Sequence, residues 1–161
     1  MKYFLILILI FSLTYIGRGL SKYYIDRQAF FSDFVGFLNY VLSNINFEKS
    51  KLSATVNRYN SQSNNKYTHK LLDNYYSYLH HKCDCIDCSC HILKQNEQDV
   101  LTHTLENLGK ADFDTEKMNI QASIEQINQL LKQAKVENVK YGGLYTKLFL
   151  LLGLALSILL V

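Results

Sequence analysis

The sequence predicts an all-α protein: a membrane-anchored helical bundle with N- and C-terminal transmembrane helices. Three observations predict it. The 161 residues contain no proline, the residue that most strongly breaks helix interiors. Two uncharged apolar runs, residues 3–16 and 148–161, stand at the two ends of the chain. Between them, apolar residues recur in steps of three and four, with no strand alternation of useful length. The expected organisation is an N-terminal transmembrane helix over residues 1–20, a cytoplasmic helical bundle over 21–142 with a Cys-rich loop at 81–91, and a C-terminal transmembrane helix over 143–161. The mean hydropathy of -0.05 averages two apolar ends with a polar middle.

The chain starts "MKYFLILILIFSLTYIG". Extended through Leu20, the run from Tyr3 reaches about 27 Å as a helix, close to a hydrocarbon core of about 30 Å. Lys2 followed by an apolar run also fits a signal peptide, but no small-x-small cleavage site follows, and Arg18 and Lys22 stand where cleavage would be wanted. The favoured expectation is an uncleaved span; a cleaved segment would instead make a secreted or surface protein. At the other end, "YTKLFLLLGLALSILLV" is apolar on every face, and Lys147 can snorkel to the headgroups. Arg18, Lys22, Arg27, Lys132, Lys135, Lys140 and Lys147 flank the spans on their inner side, against Lys2 outside. The positive-inside rule therefore places the middle in the cytoplasm, where thiols stay reduced. A net charge of +3, scattered along the chain, gives no argument for nucleic acid.

Within the middle, Ile25, Ala29, Phe30, Phe34, Phe37, Leu38, Val41 and Ile45 predict a helix over 21–45. Leu52, Val56 and Tyr59 predict a shorter one, closed by the polar "NSQSNN" loop, and Leu71, Leu72, Tyr75, Tyr76 and Leu79 a third. Asn96 is the expected N-cap of a fourth, whose buried face is Val100, Leu101, Thr104, Leu105 and Leu108, with Gly109 as its C′ residue. Asp112 is expected to cap a fifth helix, with Asp114 and Glu116 in its first turn. Ile120, Ile124, Ile127, Leu131 and Ala134 give that helix a single apolar face. Gly142-Gly143 can loosen it before the final span.

No P-loop, HExxH or GxSxG pattern is present. The carboxylates at 112–116 belong to helix capping, and His69 and His103 are isolated. The expectation is a non-enzymatic scaffold that requires no cofactor. The one chemically distinctive stretch is "HKCDCIDCSCH", with Cys83, Cys85, Cys88 and Cys90 flanked by His81 and His91. On a helix, Cys83 and Cys90 would share a face but stand about 10.5 Å apart along the axis, too far for one ion to join all four. As a loop, a Cys85-x-x-Cys88 turn could supply two thiolates, and Cys83, Cys90, His81 or His91 could complete a tetrahedron for Zn. The C-x-C spacing also suits Cu(I). Ordinary reduced loop cysteines and redox or lipidated thiols are the competing readings, and a Cys-rich metal-binding or metal-sensing membrane protein is the alternative to the scaffold.

The segment "LENLGKADFDTEKMNIQASIEQINQLLKQAKVENVKYGGLYTKLFLLLGLALSILLV" resembles the stage III sporulation protein AB family. That family shows an LG-x-[small]-D turn, matched by Leu108, Gly109 and Asp112. It continues with a long helix, matched at Ala134 and Lys140, and an apolar ending, matched at Tyr145, Leu148 and Gly153. Gly17 with its basic follow-up resembles the first helix, and Ile45, Phe47 and Leu52 an internal element. Glu116 departs from the family's usual Gln, prolines are missing, and the cysteine run has no counterpart. The resemblance implies a platform component of the secretion-like channel between mother cell and forespore. Its helical domain is expected to be similar to that of the type II secretion inner-membrane platform protein. It implies a place in the mother-cell membrane, a secretion-type ATPase (stage III sporulation protein AA) as cytoplasmic partner, and the other stage III sporulation channel proteins around it.

Overall fold

The computed structural model describes residues 2–45 and 49–160; Phe47 lies outside them. Six helices follow in order: α1 (Lys2–Ser43), α2 (Lys49–Asn60), α3 (Lys66–Leu79), α4 (Gln95–Asn107), α5 (Phe113–Tyr141) and α6 (Leu144–Leu160). Among the described residues there is no strand. The chain divides into two compact units: residues 1–28 with 133–161, and residues 29–132. Helices α1 and α5 each contribute to both. The boundary expected at residue 20 therefore falls inside a continuous helix of 42 residues.

The unit of residues 29–132 is built on aromatic burial. Phe30, Phe31, Phe34, Phe37, Leu38 and Val41 line one face of α1 and are buried. Phe34 stacks with Phe30 at 6.1 Å and meets Phe37 at 5.7 Å between ring centroids, and Phe37 meets Tyr59 of α2 at 5.5 Å. Burial of such a side chain contributes about 1.5–3 kcal/mol. Ile25 and Ala29 were expected on this face, but both are exposed. Ile25 precedes Phe34 by nine residues, about 180° around the helix. The buried position in that phase is Arg27, seven residues before Phe34.

Helix ends follow local chemistry. Asn65 caps α3 by accepting from the Tyr67 and Thr68 N–H groups at 3.0 and 3.3 Å. The expected cap of α4 moves from Asn96 to Lys94. The cause is Glu97, buried, whose carboxylate accepts from the Lys94 N–H at 2.9 Å. That bond satisfies the Lys94 N–H, while Asn96 lies exposed inside the first turn.

The unit formed by the two chain ends is a pair of helices joined along a seam. Gly17 of α1 is buried against α6: a Cβ there would stand 3.0 Å from Phe149 Cβ and 3.0 Å from the Tyr145 carbonyl. Gly153 of α6 faces α1 less tightly: a Cβ there would stand 3.4 Å from Ile10 Cα, an ordinary van der Waals distance. Ser21 and Thr146 hydroxyls bond at 2.8 Å, Arg27 pairs with Glu137, and Asn138 Nδ2 donates to Gln28 Oε1 at 2.7 Å. From Ile10–Gly153 through Gly17–Phe149 and Ser21–Thr146 to Arg27–Glu137 the partner number falls as the α1 number rises, so the seam is antiparallel. Outside it, Leu151, Ile158 and Val139 are exposed.

Candidate functional site

Two places carry sequence-predicted functional residues: the loop between α3 and α4, and the turn before α5. Both lie in the unit of residues 29–132.

The cysteine segment is a loop between α3 and α4. Ile86, Ile92 and Leu93 anchor it by burying their side chains. Asn74 Oδ1 accepts from the Asp87 N–H at 2.8 Å, and Asp87 Oδ1 accepts from the Ser89 N–H at 2.8 Å. The Ser89 hydrogen bonds hold the Asp87 carboxyl below its ordinary range. The fixed Asp87–Ser89 turn directs Cys88 inward, where it is buried. Burial pushes its thiol upward, more than a hydrogen bond from Thr102 lowers it. A thiol of that kind is a core residue and a poor nucleophile.

The other cysteines are distributed differently. Cys83 and Cys85 are exposed and Cys90 is half-buried. His81 and Cys83, with Asp84, line a cleft of about 350 Å³ beside Glu106, Leu108 and Gly109. Cys88 and Cys90 line a separate cavity of about 50 Å³ with Phe30 and Leu71. His91 packs its ring on Tyr67 at 5.6 Å between centroids. His81 adopts a positive φ of 55°, uncommon for a residue with a Cβ, at the tight exit from α3. Among the described residues no group of three or more His, Cys, Asp or Glu side chains is arranged to hold a metal ion. The alternation that makes the sequence look like one cluster sends its thiols to different surroundings.

The turn before α5 follows its expected chemistry and adds a residue. Gly109 takes φ 76° after Leu108, the left-handed conformation of a C′ residue. Asp112 Oδ2 accepts from the Thr115 N–H at 3.4 Å, and hydrogen bonds from the Thr115 hydroxyl and then its N–H hold the Asp112 carboxyl below its ordinary range. Glu116 is buried and reaches back, accepting from the Gly109 N–H at 2.8 Å and the Ala111 N–H at 3.3 Å. It therefore ties the turn to the helix that follows, beyond its expected place in the first turn. Tyr75 lies near it, fully buried, with its hydroxyl unpartnered; burial, then the Glu116 charge, push that hydroxyl upward. Along α5, Ile120, Ile127 and Leu131 are buried, as is Ala134, while Ile124 is half-buried.

A family model described as Stage III sporulation protein AB matches residues 2–161. The chain belongs to the stage III sporulation protein AB family. No curated protein and no solved structure shows significant similarity to it. As a member of that family it is a sporulation protein. Its fold is all-helical, and one helical stretch, within Phe113–Ile158, is long and apolar enough to cross a membrane.

Proposed function

We propose that this sporulation protein is a non-enzymatic platform of the secretion-like channel between mother cell and forespore. Both ends of the chain anchor it in the mother-cell membrane, and the unit of residues 29–132 docks the cytoplasmic secretion-type ATPase, stage III sporulation protein AA. The observation that carries the anchor is the antiparallel glycine seam. Small residues that let helix backbones approach are what hold helices together in lipid, where burial gives no drive. Gly17 against Phe149 and Gly153 against Ile10 supply that contact. Because α1 supplies Gly17, one half of that seam, a retained first span fits better than a cleaved signal.

The platform works mechanically. The partner ATPase supplies the energy, and helix faces transmit it without bond chemistry. The test is a pull-down from host membranes with tagged full-length protein, carrying the native cysteines or Cys83, Cys85, Cys88 and Cys90 all replaced by Ser. Recovery of a P-loop secretion ATPase with both versions supports the platform and makes the cysteine loop incidental to it. Recovery only with native cysteines makes the loop part of the docking face. No ATPase with either version overturns the proposal.

A further inference from the structure

The net charge of +3 conceals a separation. The unit of residues 1–28 and 133–161 holds seven lysines and arginines against two carboxylates, Asp26 and Glu137. The unit of residues 29–132 holds ten against twelve. The chain is thus a strongly basic helix pair and a mildly acidic bundle.

The seam fixes where the charges of the helix pair stand. Gly17 lies against Tyr145, Thr146 and Phe149, and Ser21 bonds Thr146. Arg18 and Lys22 each follow one of those α1 residues, and Lys147 follows Thr146. All three therefore stand within about one helical turn of the same level, and all three are exposed. The carboxylates stand further along the seam: Glu137 pairs with Arg27, and Asp26 precedes that pair. Tyr24 stacks with Tyr145 at 6.0 Å and meets Tyr141 at 5.4 Å between centroids, next to the same level. Aromatic rings beside cations at the end of an apolar segment are the chemistry of the headgroup zone.

We propose that Arg18, Lys22 and Lys147 form a collar that selects anionic phospholipid headgroups around the helix pair. The ligand is a phospholipid headgroup with a net negative charge, such as that of phosphatidylglycerol. The inference rests on the membrane anchoring proposed above and goes beyond it, because anchoring alone needs no particular headgroup.

The test uses full-length protein reconstituted in phosphatidylcholine bilayers carrying trace spin-labelled phosphatidylglycerol or spin-labelled phosphatidylcholine. Electron spin resonance reads the motionally restricted lipid at the protein surface. The expected result is a preference for the phosphatidylglycerol label of roughly threefold or more at low salt. The combined variant R18Q/K22Q/K147Q should lose it, and K66Q/K70Q/K82Q, in the other unit, should keep it. Equal restriction of both labels would leave the anchoring intact and overturn the collar. Absence of restricted lipid of either kind would overturn the anchoring and the collar together. Survival of the preference in R18Q/K22Q/K147Q would overturn the collar. Its removal by millimolar inorganic phosphate at constant ionic strength would mark a free-phosphate site and overturn it too.

Discussion

The helix pair and the bundle are joined by the same two helices, α1 and α5, yet they are held together by different forces. The bundle buries a continuous aromatic face, Phe30 to Phe37, against Tyr59 and its neighbours. Water drives that burial. The helix pair leaves Leu151 and Ile158 exposed and closes its seam with two glycines, a hydroxyl pair, an amide pair and the Arg27–Glu137 ion pair. Close packing and polar contacts work where the surroundings are as apolar as the side chains. On the anchoring proposed above, one chain carries a water-built unit and a lipid-built unit. The account predicts that substitutions will hurt each by its own mechanism.

The largest loss is expected from Phe34→Ala, which opens a cavity in the centre of the aromatic face. It should cost about 3–5 kcal/mol of bundle stability, read by urea unfolding of the protein in detergent micelles, and leave the seam paired. In the helix pair, Gly17→Leu forces a side chain onto the Tyr145 and Thr146 backbone and should cost about 1–3 kcal/mol by overpacking. A Cβ added at Gly19 meets nothing within 4 Å among the described residues, so Gly19→Leu should be near neutral. Reversible unfolding in sodium dodecyl sulfate compares the two, and equal effects would break the assignment of the seam. Arg27→Gln leaves Glu137 without that partner. Glu137 is 27% exposed, so the loss should be about 2 kcal/mol, below that of a fully buried pair.

The turn before α5 gives a smaller contrast. Glu116→Ala removes the acceptor of two backbone N–H groups and should cost about 1–3 kcal/mol. Glu116→Gln keeps an acceptor and should cost less than half as much in the same unfolding assay. The smallest effects concern the tyrosines. Tyr75 and Tyr59 have hydroxyl pKa values raised by burial in the fold. A raised value means that the folded state holds its proton more tightly than the unfolded state. Their contribution is therefore complete below the ordinary tyrosine value of 10.0 and falls as pH rises above it. Tyr75→Phe should flatten that alkaline loss. It should also be neutral or slightly stabilising at pH 7, since its hydroxyl has no partner.

What the sequence shows and hides follows from range. Gly109, Asp112 and the α4 face are legible because a C′ glycine, an N-cap and a 3.6-residue stripe are local signals. Arg27 is hidden because its buried phase carries a charge, and its partner Glu137 lies 110 residues away. Ile25 is misassigned by the same phase: it is apolar and within reach of the stripe, but on the opposite side. Glu116 hides as an ordinary first-turn carboxylate, since its reach back to Gly109 depends on how the turn folds. The cysteine run is legible as a loop. Its division between an exposed pair and a buried thiol is not, because Asn74 of α3 sets it by holding Asp87.

The central claim is that the bundle sits on the cytoplasmic face, held there by a membrane-embedded pair of chain ends. The native thiols test it directly, because Cys83 and Cys85 are exposed and the chain has no cysteine outside the loop. A membrane-impermeant maleimide applied to intact cells expressing the full-length protein should leave both unlabelled, and labelling should appear once the membrane is opened. Labelling of Cys83 and Cys85 in intact cells would put the bundle outside and contradict the account.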